Sequence, residues 1–278
     1  MGTYNNRYFC KQLSSGKLYI VPTPIGNLGD ITYRAIEVLK EVDAILCEDT
    51  RQTKKLIDHY EVEKKLMPFH QHNEHKNLQV VIKKLQDGES FALCSDAGMP
   101  GISDPGYLLI REAIASEITV ITLPGAVAAI VALVNSGLPC DTFVYEGFLP
   151  HKKGKQTKIL SLLEEKRTTI FYESPHRIVK TLTLMKELLG DDRKVCIGRE
   201  LTKKFEEHVR GTVAEVLAHF ETNEPRGEFV LLVAGNDTKQ KNKTHHFNAT
   251  SRTSFLAGLA STRFFLSEFF GFCSVINP

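Results

Sequence analysis

A chain of 278 residues with 42% hydrophobic and 24% charged residues can bury two separate cores, so disorder is not its default state. No run approaches the roughly 18 apolar residues of a membrane helix, and the polar start Met1 to Lys17 lacks the pattern of a secretory leader, so a cytoplasmic protein with no membrane partner is expected. A net charge of +2 selects no partner, and the six cysteines (10, 47, 94, 140, 196, 273) form no C-x-x-C pair, so reduced thiols acting as small hydrophobes are expected.

After a polar arm (1–17), Leu18 to Val21 reads as a short buried strand that empties into Pro22-Thr23-Pro24-Ile25-Gly26-Asn27-Leu28-Gly29-Asp30-Ile31-Thr32. Ala35, Ile36, Val38 and Leu39 then recur at helical spacing. Ala44 to Cys47 is a second strand, Leu56 and Ile57 mark a helix, Leu66 to Phe69 a short third strand, and Asn77 to Leu85 another helix. Phe91 to Cys94 is a strand running into Ser95-Asp96-Ala97-Gly98-Met99-Pro100-Gly101-Ile102-Ser103-Asp104-Pro105-Gly106. Three glycines and two prolines in that loop fix one backbone shape, and a twelve-residue ordered loop between strand and helix reads as a ligand cradle rather than a tight turn. A helix carrying Leu108 to Ile114 and a strand over Ile118 to Leu123 follow.

Strands alternating with helices imply a largely parallel sheet covered on both faces. A helix from Gly125, opening on Ala126, Val127 and Ala128, leaves its N–H groups open to a ligand; close helix packing accounts for the small residues equally well. Beyond it come a strand Phe143 to Phe148, a basic loop from His151 to Lys158 with four lysines and no acid, and a helix over Ile159 to Leu163. The strand Thr169 to Tyr172 and a helix from Pro175 to Leu189 come next. Val195 to Arg199, Glu206 to Gly211 and Glu228 to Ala234 are strands with one helix, Val213 to Phe220, among them, which predicts a mixed sheet. The boundary is placed near Pro124, giving an N-terminal α/β domain over 18–123 and a C-terminal one over 124–236. The stretch 237–278 is a tail with no assigned role.

No G-x-G spacing and no P-loop is present, and His70, His72 and His75 match no zinc pattern, so no metal is expected. What remains is a set of Gly-, Pro- and Asp-rich loops at strand ends (22–32, 95–106, 124–128), joined by Tyr172-Glu173-Ser174-Pro175-His176-Arg177 and Arg199-Glu200-Leu201-Thr202-Lys203. Such loops line a cleft between two α/β halves, the usual place for a small ligand.

Those stretches, with Cys47-Glu48-Asp49-Thr50-Arg51, closely resemble the tetrapyrrole methylase superfamily in its branch of bacterial 16S rRNA ribose methyltransferases, in order from about Leu18 to Asn236. The resemblance implies a two-domain α/β fold with S-adenosylmethionine in the cleft between a mostly parallel N-terminal domain and a mixed-sheet C-terminal domain. It also implies a homodimer, and methylation of the 2′-hydroxyl of a cytidine in 16S rRNA within the 30S subunit. Carried over by motif, the cofactor contacts are Pro22, Pro24, Asp96, Ala97, Gly98, Gly101, Ser103, Asp104, Ala126, Val127, Ala128, Tyr172, Glu173, Leu201, Ala234 and Gly235. The tail departs from the family's helical C-terminal extension.

Methyl transfer from a sulfonium is an in-line displacement that needs positioning and a group to meet the ribose proton. Glu200, Lys203, Arg177, Glu173 and Asp30 are the polar candidates at strand ends, with a plain Glu200–Lys203 ion pair as the structural alternative. The competing functions are methylation of a tetrapyrrole precursor or a modified protein side chain, and a non-catalytic RNA-binding module.

Overall fold

The computed structural model describes residues 15–71, 73–151 and 153–236. The arm to residue 14, His72, Lys152 and the stretch from 237 therefore lie outside the described residues.

The first sheet holds β1 (Lys17–Ile20), β2 (Ala44–Cys47), β3 (Lys65–Pro68), β4 (Phe91–Cys94) and β5 (Thr119–Thr122) in the order β3-β2-β4-β1-β5, every pair parallel. Strand alternation divides its side chains between two cores. Leu18, Ile20, Leu46, Phe91 and Leu93 meet α3 (Glu74–Gln86) and α4 (Tyr107–Ala115) through Val81, Ile82, Leu85, Leu109 and Ala113. Val21, Ile45, Ala92 and Cys94 meet α1 (Tyr33–Glu41) and α2 (Thr50–His59) through Ala35, Val38, Leu39 and Ile57 on the other face. Thr32 caps α1 by accepting the Ala35 N–H at 3.1 Å, and Asp49 caps α2 through Arg51 N–H at 2.8 Å.

β1 and β4 are neighbours, yet the chain leaves them in opposite directions, β1 passing over β4 to β2 and β4 passing over β1 to β5. Their carboxyl ends form the topological switch point at which open α/β sheets hold ligands, and loops 22–32 and 95–106 both start there.

The second sheet holds β6 (Phe143–Phe148), β7 (Thr168–Glu173), β8 (Lys194–Arg199), β9 (Glu207–Thr212) and β10 (Phe229–Val233) in the order β6-β7-β10-β8-β9. Only β6 and β7 run parallel; β10 is antiparallel to β7 and β8, and β9 to β8. One face packs on α6 (Lys153–Ser161), α7 (Pro175–Leu189) and α8 (Val213–Thr222). The other packs on α5 (Ala128–Ser136), and Ile25 from the first half and Leu201 join that core.

Two local expectations change. The helix expected from Gly125 begins at Ala128, because Gly125 lies against the Pro22 ring and the chain is still extended at the N-cap Val127. The basic stretch expected as a loop before a helix at Ile159 instead builds the first turns of α6.

Candidate active site

The two Gly- and Pro-rich loops of the first half are fastened together before they meet anything else. Thr23 and Gly98 exchange backbone hydrogen bonds, Thr23 N–H to Gly98 O at 2.9 Å and Gly98 N–H to Thr23 O at 3.1 Å. The Thr23 hydroxyl donates to Ser95 O and the Ser95 hydroxyl to Gly98 O, each at 3.1 Å. Gly98 has φ +85°, and a Cβ there would stand 3.3 Å from Ile25 and 3.6 Å from the Ala126 carbonyl. The fold thus spends a glycine where three loops converge.

Around this junction lies a cavity of about 370 Å³, within the range of small-molecule sites. The first half contributes Ile25, Ala97, Gly98, Met99, Ile102, Ser103 and Asp104. Val127 and Ala128, Phe148, Tyr172 to Pro175, Leu201 and Gly227 to Val230 close the other side.

Among the residues expected to hold a cofactor, the wall includes Ala97, Gly98, Ser103, Asp104, Val127, Ala128, Tyr172, Glu173 and Leu201. Pro22 lies under Gly125 and Ala126 sits beside the Gly98 junction, both behind the wall, while Asp96 is exposed beside it and its carboxylate accepts the Asp49 N–H at 3.1 Å. Pro24 and Gly101 belong to the same loops and are likewise absent from the wall. Ala234 and Gly235 lie at the end of the sheet away from this cavity. Phe229 pairs with Glu173 and Arg199, at the ends of β7 and β8 that face the cavity, whereas Val233 pairs with Thr169 and Val195 at their far ends. Because β10 runs antiparallel, it is the residues before it, Gly227 and Glu228, that reach the cavity, while Ala234 N–H bonds Lys194 O and Gly235 lies against the Lys166 carbonyl.

The polar candidates Glu200, Lys203, Arg177 and Asp30 also stand outside the wall. The Lys203 ammonium bridges Glu200 at 2.9 Å and Glu228 at 3.0 Å, and the Glu200 carboxylate accepts the Glu228 N–H at 3.0 Å. Burial alone would raise the Glu200 carboxyl, but the Lys203 hydrogen bond and charge hold it below its ordinary value. Lys203 is raised in turn, its partial burial outweighed by both carboxylates. The expected ion pair is therefore a triad whose third member, Glu228, lines the cavity. Its signal in the sequence was only the Pro225-Arg226-Gly227 turn ahead of a strand.

Arg177 donates to the Leu149 carbonyl at 2.8 Å and the Pro150 carbonyl at 3.2 Å, and its Nε lies 3.2 Å from Glu173. Glu173 is fully buried, accepting also from Ser174 N–H at 2.9 Å and the Thr181 hydroxyl at 2.7 Å, with Lys155 3.4 Å away. Asp30 ends the short 3₁₀ turn Leu28–Asp30.

Asp104 differs from the other carboxylates of the wall. Burial, then the neighbouring Glu48 carboxylate, pushes its pKa up to about 6 against a Ser95 hydrogen bond, with no cation among its influences. Two helix N-termini reach the cavity without a cap from their own N-cap side chains: α5 after Val127, where the Ala129 N–H donates to the Tyr172 hydroxyl, and α7 after Ser174, whose N–H donates to Glu173 and whose next residue, Pro175, has no N–H. Burial and the adjacent Tyr145 raise the Tyr172 hydroxyl well above its ordinary value, so it stays a neutral hydrogen-bonding group. An apolar middle, a carboxylate-bearing wall and two helix N-termini suit a ligand with apolar parts and a cationic centre, which is the chemistry of S-adenosylmethionine.

Residues 17–217 match the model of the tetrapyrrole (corrin/porphyrin) methylases. The chain is 49% identical over 221 residues to a ribosomal RNA small subunit methyltransferase I of Synechocystis, covering 79% of both chains. It is 51% identical to the protein of that name from Vibrio cholerae (78% of this chain, 77% of the relative), and 48% to that from Escherichia coli O157:H7 (82% and 81%). Among solved structures it is similar in fold to a diphthine synthase (TM-score 0.62, 12% identity, 79% of this chain and 90% of that one). A cobalt precorrin-4 methyltransferase is also similar (TM-score 0.57, 17% identity, 78% and 94%).

Proposed function

Because the chain belongs to the tetrapyrrole methylase family, among the relatives named rRNA small subunit methyltransferase I, it is an S-adenosylmethionine-dependent methyltransferase, and we propose that it methylates the ribose 2′-hydroxyl of a cytidine in 16S rRNA. The 30S subunit is the proposed substrate and a homodimer the proposed working form. The observation that carries the reading is the 49% identity over 221 residues, a length that takes in both sides of the cavity.

When bound, S-adenosylmethionine supplies an electrophilic methyl group on a sulfonium. In this reading Ile25, Val127 and Leu201 hold its apolar parts, the positive N-terminal end of α5 favours its carboxylate, and the Asp104 charge favours its cationic centre. Pro22, Pro24, Gly101 and Ala126 support these walls from the same loops, and Asp96 ties its loop to the start of α2 through the Asp49 N–H. Orientation is the main source of rate in such a displacement, and loops clamped by the Thr23–Gly98 pair provide it. Glu228, held by Lys203 with Glu200 behind, is the carboxylate at the cavity placed to accept the hydroxyl proton.

Incubation with labelled S-adenosylmethionine and undermethylated 30S subunits, then nuclease digestion and mass spectrometry, tests the proposal. Label on 2′-O-methylcytidine is expected; label on a base, or transfer only to a tetrapyrrole, overturns it.

A further inference from the structure

We propose that Phe148 is the stacking platform for the target nucleobase, gripping the cytosine while its ribose enters the cavity. The inference rests on the reading of the substrate as RNA and assigns a residue that recognises it.

β6 carries an irregularity: Tyr145 pairs with Ile170 but Phe148 with Tyr172, so three steps on β6 match two on β7. That extra residue is a β-bulge, and Gly147 within it has φ +63°. In a regular strand Phe148, three residues on, would face away from Tyr145. The bulge returns it to Tyr145's face, and Leu149 turns into the core under α7 instead. The shift therefore places an aromatic ring on the cavity wall.

Phe148 remains 58% exposed there. It stands edge to face against Tyr172, centroids 5.5 Å apart at 63°, and Tyr172 stands likewise against Tyr145 at 5.5 Å and 74°. The inner rings brace it while much of its own surface meets solvent at the mouth. The chain just after it is pinned by the Arg177 bonds to the Leu149 and Pro150 carbonyls, and Arg177 is itself paired with Glu173. A rigidly held, half-open aromatic beside a cavity that must admit a ribose suits an unstacked base, because a 2′-hydroxyl reaches such a site only when its nucleotide leaves its neighbours. Stacking on a protein ring offsets the stacking lost in the RNA.

The test compares wild type, Phe148→Ala, Phe148→Leu and Phe148→Trp by methyl transfer to undermethylated 30S subunits and by calorimetry with S-adenosylmethionine. With wild type active, the Ala and Leu variants should lose roughly ten- to a hundredfold in kcat/KM for the subunit, Trp should restore most of it, and the cofactor Kd should stay within about twofold. Full activity in Phe148→Leu, or a parallel loss of cofactor affinity in Phe148→Ala, overturns the platform and leaves the methyltransferase reading standing. A wild type that methylates no 30S subunit overturns that reading, and the platform with it.

Discussion

The Ser103 hydroxyl lies 2.6 Å from the Tyr145 hydroxyl, a bond that ties the loop after β4 to β6 of the second sheet. Ser103 is held at φ +62°, an uncommon conformation for a residue with a side chain, so the contact fixes a strained turn. Tyr145→Phe removes the hydroxyl that bonds both Ser103 and Tyr172 and keeps the ring. It is expected to cost about 1 kcal/mol of stability and several-fold in cofactor affinity, read by urea unfolding and calorimetry. Unchanged affinity would show that the cavity does not depend on this bond.

Gly98→Ala concentrates its effect on the loop junction. The φ of +85° and the 3.3 Å approach to Ile25 make any side chain strained there. A loss of about 1–3 kcal/mol and a tenfold or larger rise in cofactor Kd are expected, since the junction aligns the wall. Thermal melts with and without cofactor measure both.

Asp104 gives the site a pH dependence of known sign. Its pKa is raised from 3.8 to about 6, so the stability linked to its protonated form is complete below pH 3.8 and lost as pH rises through about 6. Above that, the ionised carboxylate costs stability, and Asp104→Asn should gain about 1–2 kcal/mol at pH 8 once solvent screening is allowed for. Wild-type cofactor binding should tighten as pH rises through about 6, and the Asn variant should lack that step. Calorimetry from pH 5 to 8 decides the matter; a step that survives in the variant removes Asp104 from the role.

Lys155 belongs to the basic stretch by sequence but to the interior by structure. Its side chain is 13% exposed and faces the fully buried Glu173 carboxylate, with a hydrogen bond to Thr181; burial lowers its pKa against the pull of Glu173. Lys155→Met should cost about 2 kcal/mol, less than the roughly 3–5 of an uncompensated buried pair, because Arg177 and Thr181 still hold Glu173. The salt dependence of 30S binding should not change, in contrast to what a phosphate-contacting lysine would give. A flattened slope would place Lys155 on the RNA.

Much of the architecture is legible as pattern. Strands buried on both faces are unbroken apolar runs, which is why Ala44–Cys47 and Phe91–Cys94 fall where the sequence places them. Pro175 and Gly190 bracket α7 in the same way. The start of α6 was hidden because lysines, not apolar residues, occupy its first turn. Composition marks loops 22–32 and 95–106 as site-bearing, but strand direction does not show in composition, so nothing in the sequence brought Gly227 and Glu228 to the cavity, while Ala234 and Gly235, carried over by resemblance, lie at the other end of β10. Phe148 was legible only as a strand residue, since a bulge depends on the neighbouring strand's register.

The split ownership of the cavity also bears on how long the molecule lasts. Neither sheet with its helices encloses a ligand alone, so a ligand held between Gly98 and Leu201 is lost when either half opens. Saturation at a hundred times Kd would add about 2.7 kcal/mol to the whole unit and lower its transient opening about a hundredfold.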